Sequence, residues 1–150
     1  MLLLTRHTLW RFAALAGLCT GLGLTSIGQA ETLTVECKGL HANQGYLQVK
    51  LFTLHDSFPN GERIFAKQTR RVKSNPMRVV FPQVPEGIYA IQAFQDLDGD
   101  GERDTTIAGA STDPVGYSNQ ARKLIGAPDF NDAAIVIGDD ESMLVTITLD

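Results

Sequence analysis

From Thr32 onward, apolar side chains recur at every second position, the spacing of a strand with one face in a core. Leu33, Val35 and Cys37 alternate with Thr34, Glu36 and Lys38. After the polar stretch His41-Ala42-Asn43-Gln44-Gly45, Leu47, Val49 and Leu51 alternate with Gln48 and Lys50, which predicts an antiparallel hairpin. Asp56-Ser57-Phe58-Pro59-Asn60-Gly61 breaks the pattern, and Glu62 to Lys67 suits a short helical turn with Ile64 and Phe65 plugging one end of the core. Residues 68–73 are polar enough for an edge strand, and Met77, Val79 and Phe81 alternate up to Pro82. Beyond the turn Pro85-Glu86-Gly87, residues 88–95 are apolar on both faces, as a central strand requires. Ala133 to Ile137 and Leu144 to Leu149 end the chain, joined by Gly138-Asp139-Asp140-Glu141-Ser142. Six to seven short strands without a long helix predict an all-β fold, a two-sheet antiparallel β-sandwich of immunoglobulin-like or transthyretin-like type.

The first thirty residues follow a different logic. Arg6, His7 and Arg11 precede an apolar run from Phe12 to about Leu24, and Gly28 and Ala30 place small residues at the minus-three and minus-one positions of a cut. This is the layout of a secretory signal peptide, with cleavage expected after Ala30. A membrane anchor is the rival reading, but the run contains Gly and Thr and is shorter than the ~20 apolar residues that span a bilayer. A lipoprotein signal at Cys19 would want a small residue immediately before it, where Leu18 stands. Residues 31–150 then form a single domain, exported to the periplasm or secreted.

Without Arg6 and Arg11, 11 of the 13 basic residues remain against 17 acidic ones, a net charge of −6 with His neutral. Such a surface repels phosphate backbones and anionic membranes, so nucleic acid is excluded as a partner and no membrane insertion of the mature chain is expected. Of the two cysteines only Cys37 survives processing, so no internal disulfide forms; on the apolar face of its strand it reads as a packed residue rather than a nucleophile.

The chemically pointed stretch runs from Asp96 to Asp104, with carboxylates at Asp96, Asp98, Asp100, Glu102 and Asp104 and a single internal base, Arg103. Crowded carboxylates repel one another unless water, Arg103 or a cation intervenes. Aspartates at positions one, three and five with Gly at six are the spacing of a calcium loop, here Asp96, Asp98, Asp100 and Gly101. Glu102 would contribute its backbone carbonyl at position seven, and Asp104 would act directly or through water at position nine. Position twelve, where a bidentate Glu belongs, is Ile107, so a final ligand would come from elsewhere, Asp113 being the nearest candidate. Loss of that carboxylate moves calcium affinity toward the ~10⁻⁴–10⁻³ M range of extracellular modules. The alternative is that Asp98-Gly99 and Asp100-Gly101 are solvated turn-formers.

No catalytic constellation accompanies this loop. The mature chain has two histidines, His41 and His55, at opposite ends of the expected hairpin, with no Gly-x-Ser-x-Gly elbow and no His-Glu-x-x-His run. Tyr117, Asn119 and Phe130 lie on loop-like segments, where they form either a recognition surface or caps on the open end of the core.

Gly39-Leu40, Gly45, Pro85-Glu86-Gly87-Ile88-Tyr89-Ala90, Phe94-Gln95-Asp96 with Asp98-Gly99-Asp100-Gly101, Gly116-Tyr117-Ser118-Asn119 and Gly126-Ala127-Pro128-Asp129-Phe130 occur in an order and spacing that resemble a bacterial exported family, domain of unknown function 2141. That family often has His where Gln95 stands, and Asp113-Pro114-Val115 replaces its usual Pro-x-Glu. The resemblance implies export and a β-sandwich and supplies no activity. The expectation is a noncatalytic envelope module with a weak calcium loop and a glycan or protein partner. The alternatives are a carbohydrate or peptide binder using the loops near Tyr117 and Phe130, and a hydrolase.

Overall fold

The computed structural model describes residues 31–53, 55–107, 111–138 and 142–150. The signal-peptide reading of residues 1–30 lies outside the described residues, as do Asp139 to Glu141 of the last connection.

Eight strands form among the described residues: β1 Glu31–Lys38, β2 Tyr46–Phe52, β3 Ala66–Arg71, β4 Met77–Val84, β5 Gly87–Asp96, β6 Val115–Tyr117, β7 Ala134–Ile137 and β8 Ser142–Thr148. A three-stranded sheet, β4-β1-β8, faces a larger one ordered β3-β2-β5, whose β5 is bordered on its far side by both β6 and β7. The all-β sandwich is therefore the fold, with one departure from an antiparallel plan: β1 and β8 run parallel.

The expected hairpin does not form. β1 pairs with β4 and β8, and β2 pairs with β3 and β5, so residues 39–45 carry the chain from one sheet across to the other. Both strands turn the same kind of apolar face inward whether they pair or oppose each other, which is why periodicity alone could not separate the two arrangements. His41 and His55 still lie beyond opposite ends of β2. Residues 62–65 form no helical turn; β3 begins at Ala66, Ile64 packs partly buried, and Phe65 stays half-exposed with its ring edge-on to Tyr89. β4 runs through Pro82 instead of stopping there, because β4 is the sheet edge and the β1 register shifts between Leu33 and Glu31 opposite that point.

Between the sheets, Leu33, Val35 and Cys37 of β1 meet Leu47, Val49 and Leu51 of β2, Ile91 and Ala93 of β5, and Val145 and Ile147 of β8. The outer face of the large sheet is not left to solvent. It buries Phe52, Ala90, Tyr117, Ala121, Phe130 and Ala133 beneath the connections that follow β2 and β6. This second core explains why β5 is apolar on both faces. It also explains Ser118, which fills the gap between β6 and β7: its hydroxyl accepts from the Ile91 N–H and donates to the Ala133 carbonyl, replacing the ladder that neither short strand supplies there.

Cys37 is fully buried and its thiol is pushed up to about 12 by desolvation, with the nearby Glu36 charge adding to it. A thiol held in that form is not a nucleophile at neutral pH. Peptide mapping after iodoacetamide treatment is expected to show Cys37 unmodified in the native chain and modified in denaturant.

Candidate metal centre

Asp96 is the last residue of β5, opposite Tyr46 of β2, and only 2% of it is exposed. Its carboxylate closes the turn that follows. Oδ1 accepts from the Gly99 N–H at 2.7 Å, and Oδ2 accepts from the Gly101 N–H at 2.9 Å and from Gln48 Nε2 at 3.3 Å. Asp98 Oδ1 accepts from the Asp100 N–H at 3.2 Å, and Asp100 Oδ1 from the Glu102 N–H at 2.7 Å. Each aspartate thus caps a backbone amide two to five residues ahead, the turn chemistry expected of these residues. That same winding gathers carboxylate oxygens of Asp96, Asp98 and Asp100 within 4.8 Å of one another. The turn-former and ligand readings therefore describe one geometry rather than two.

The other two predicted ligands behave differently. The side chains of Glu102 and Asp104 are not members of that group. Both residues are exposed, and desolvation, followed by the charges of Asp98, Asp113, Asp100 and Asp96, holds the Asp104 carboxyl above its ordinary range. Asp113 is buried and serves as an anchor, Oδ2 accepting from the Asp104 N–H at 2.9 Å and Oδ1 from the Leu97 N–H at 3.3 Å. It pins both ends of the acidic stretch to the base of the loop. Ile107, at the twelfth position, is fully exposed.

Arg103 does not neutralise its own loop. Its guanidinium donates to Tyr117 Oη at 3.3 Å and to Asn60 Oδ1 at 3.2 Å, and these three residues line a cleft of about 250 Å³ together with Ser111 and Gly126. The carboxylates of Asp96, Asp98 and Asp100 make no ion pair with a basic side chain among the described residues. Three carboxylates with no nitrogen or sulfur donor could hold a metal ion, and an oxygen-only set suits a hard cation.

Across this end of the molecule, Gln95 of β5 reaches the 41–44 turn. It is fully buried; its Oε1 accepts from the His41 N–H at 2.8 Å, and its Nε2 donates to the carbonyls of His41 and Gln44 at 2.9 and 2.7 Å. An amide, with both a donor and an acceptor, clamps the 41–44 turn onto β5. The family model for an uncharacterized protein conserved in bacteria, DUF2141, matches residues 35–145. The chain belongs to the DUF2141 family. No curated protein and no solved structure matches it. The matched stretch of this DUF2141 protein contains the acidic loop, its Asp113 anchor and the Gln95 clamp, so all three lie within the family's domain.

The rings of the aromatic loops are mostly buried. Tyr117 and Phe130 are 7% and 4% exposed and belong to the second core, where Phe58 meets both rings edge-on and His55 lies against Phe130 at 4.4 Å between centroids. Asn119 Nδ2 donates to the Ala134 carbonyl at 2.6 Å, a tie between the turn after β6 and the start of β7. Sequence reasoning missed Gln48, Gln92 and Gln95, buried polar groups on strands whose alternation marks Gln48 as solvent-facing. The available signal was the doubly apolar β5, which requires a cover over the face that Gln48 and Gln92 share.

Proposed function

We propose that this DUF2141 chain is a noncatalytic module exported to the cell envelope, where a divalent cation held by Asp96, Asp98 and Asp100, calcium by preference, fixes the β5–β6 connection for a structural or binding role. The observation that carries this reading is the convergence of three carboxylates within 4.8 Å, together with the turning away of Arg103. Calcium is favoured over magnesium because two of the three donors, Asp98 and Asp100, sit on an exposed turn rather than in a rigid octahedral cage, and calcium tolerates irregular shells. The separation of His41 and His55 at opposite ends of β2 and the protonated, buried Cys37 support a noncatalytic role.

The test is a thermal melt in excess chelator and in ~10 mM calcium. For dissociation constants of ~10⁻⁴–10⁻³ M, linkage predicts about 1.4–2.7 kcal/mol of stabilisation, or roughly 5–10 °C in the midpoint. The Asp98→Asn, Asp100→Asn double variant is expected to lose that shift while folding normally in chelator. Equal responses of parent and variant, or no response in the parent, would overturn the cation reading.

A further inference from the structure

A second constellation lies on the outer face of the large sheet, separated from the acidic loop by the Gln48–Phe94 row. Lys67 of β3 pairs with Lys50 of β2, Lys50 with Gln92 of β5, and Gln92 with Tyr117 of β6, so these four side chains project from the same face in one cross-strand row. Arg103 reaches the end of the row from above, donating to Tyr117 Oη at 3.3 Å.

The row is made almost entirely of donors. Lys50, Lys67 and Arg103 make no ion pair among the described residues, although the chain has 17 acidic residues. The Lys50 ammonium sits 5.0 Å from the centre of the Phe94 ring, and desolvation, then the charges of Lys67 and Arg103, hold it below its ordinary pKa. Gln92 is 1% exposed, and its Nε2 has no hydrogen-bond partner among the described residues. Tyr117 Oη accepts from Arg103, which leaves its own hydrogen to donate. Buried donors are ordinarily paired, and like charges are ordinarily separated by a counter-ion; here both rules are broken at one place. Among the described residues Arg103 is held by two long neutral contacts, which a charged acceptor readily replaces. The cleft beside Tyr117 and Arg103 gives room for the rest of a small molecule.

We propose that this row is an oxyanion site, at which Lys50, Gln92, Tyr117 and Arg103 bind a small ligand through its carboxylate or phosphate group. Arg103 supplies the planar fork that such groups match, and Lys50 and Lys67 supply charge. The site is independent of the cation reading, since its residues are not the carboxylates of the loop.

The experiment is a set of thermal melts and calorimetric titrations of the full chain in chelator at constant ionic strength, with inorganic phosphate in one arm and succinate in the other. A saturable midpoint rise is expected in at least one arm, and the responding arm identifies whether the ligand class bears phosphate or carboxylate. Arg103→Met and Lys50→Met, which keep the apolar stems packed, are each expected to weaken binding by about tenfold or more. Gln92→Leu separates a ligand role from a structural one: removing the unpaired donor is expected to raise the midpoint without anion while reducing the response to it. The proposal is overturned if neither anion gives a saturable response, or if the Arg103 and Lys50 variants respond like the parent.

Discussion

Phe52→Ala is expected to lower the unfolding free energy by about 3–5 kcal/mol, the range for removing a fully buried Phe. Phe52 is fully buried, yet it points away from the Leu51 side of β2 and into the second core, edge-on to Phe58 at 5.4 Å. In a sandwich with one core this position would face solvent, and truncation would change stability by only about 0.5 kcal/mol. Phe65, which is 45% exposed, is the comparison: Phe65→Ala is expected to change stability by less than about 1.5 kcal/mol, since nearly half of the residue is already in water. Urea unfolding of the two variants distinguishes the accounts, and equal midpoints would contradict a second core.

Gly45→Ala is expected to be comparably damaging, by about 2–5 kcal/mol from left-handed strain and overpacking together. Gly45 has φ 58°, and a Cβ there would lie 2.1 Å from the Asp96 carbonyl oxygen and 2.9 Å from Leu97 Cα. All the opposing atoms are backbone, so relief requires moving the end of β5 and with it the first carboxylate of the loop. The calcium-induced midpoint shift is therefore expected to shrink as well. Gly101→Ala separates strain from collision: its φ is 88° and nothing lies within 4 Å of the added carbon. It should cost only about 1–2 kcal/mol, the left-handed penalty alone. Chemical unfolding with and without calcium reads both quantities.

What was legible in the sequence follows from what period-two alternation encodes. It reports that a strand has a buried face, so β1, β2, β5, β7 and β8 were found close to their observed bounds, and β3 was placed correctly at an edge. Alternation does not report which strand lies alongside, so β1 and β2 were joined in a hairpin although they lie in opposite sheets. Nor does it report a cover over the far face. Gln48 and Lys50 read as solvent-facing, whereas loops bring Gln48 to 1% exposure. The acidic loop was legible because its chemistry is local: Asp96, Asp98, Asp100 and Gly101 are near neighbours, and their capping bonds span five residues at most. The direction of Arg103 was not, because its partners Asn60 and Tyr117 are 43 and 14 residues away. Asp113, the nearest candidate for a further ligand, lies outside the three-carboxylate group and accepts from the Leu97 and Asp104 amides, contacts set by the return of the chain toward β6.

The central claim is that the Asp96–Asp100 turn is a cation site, and the most direct measurement is a calcium titration of the isotope-labelled chain followed through its backbone amide NMR resonances. The Gly99 and Gly101 amides donate to the two oxygens of Asp96, so they report directly on any ion drawing on that carboxylate. The account predicts saturable shifts centred on residues 96–104, led by these two glycines and absent from the Asp98→Asn, Asp100→Asn variant. Shifts that never saturate and scatter over the acidic surface, or no shift at these glycines, would contradict it.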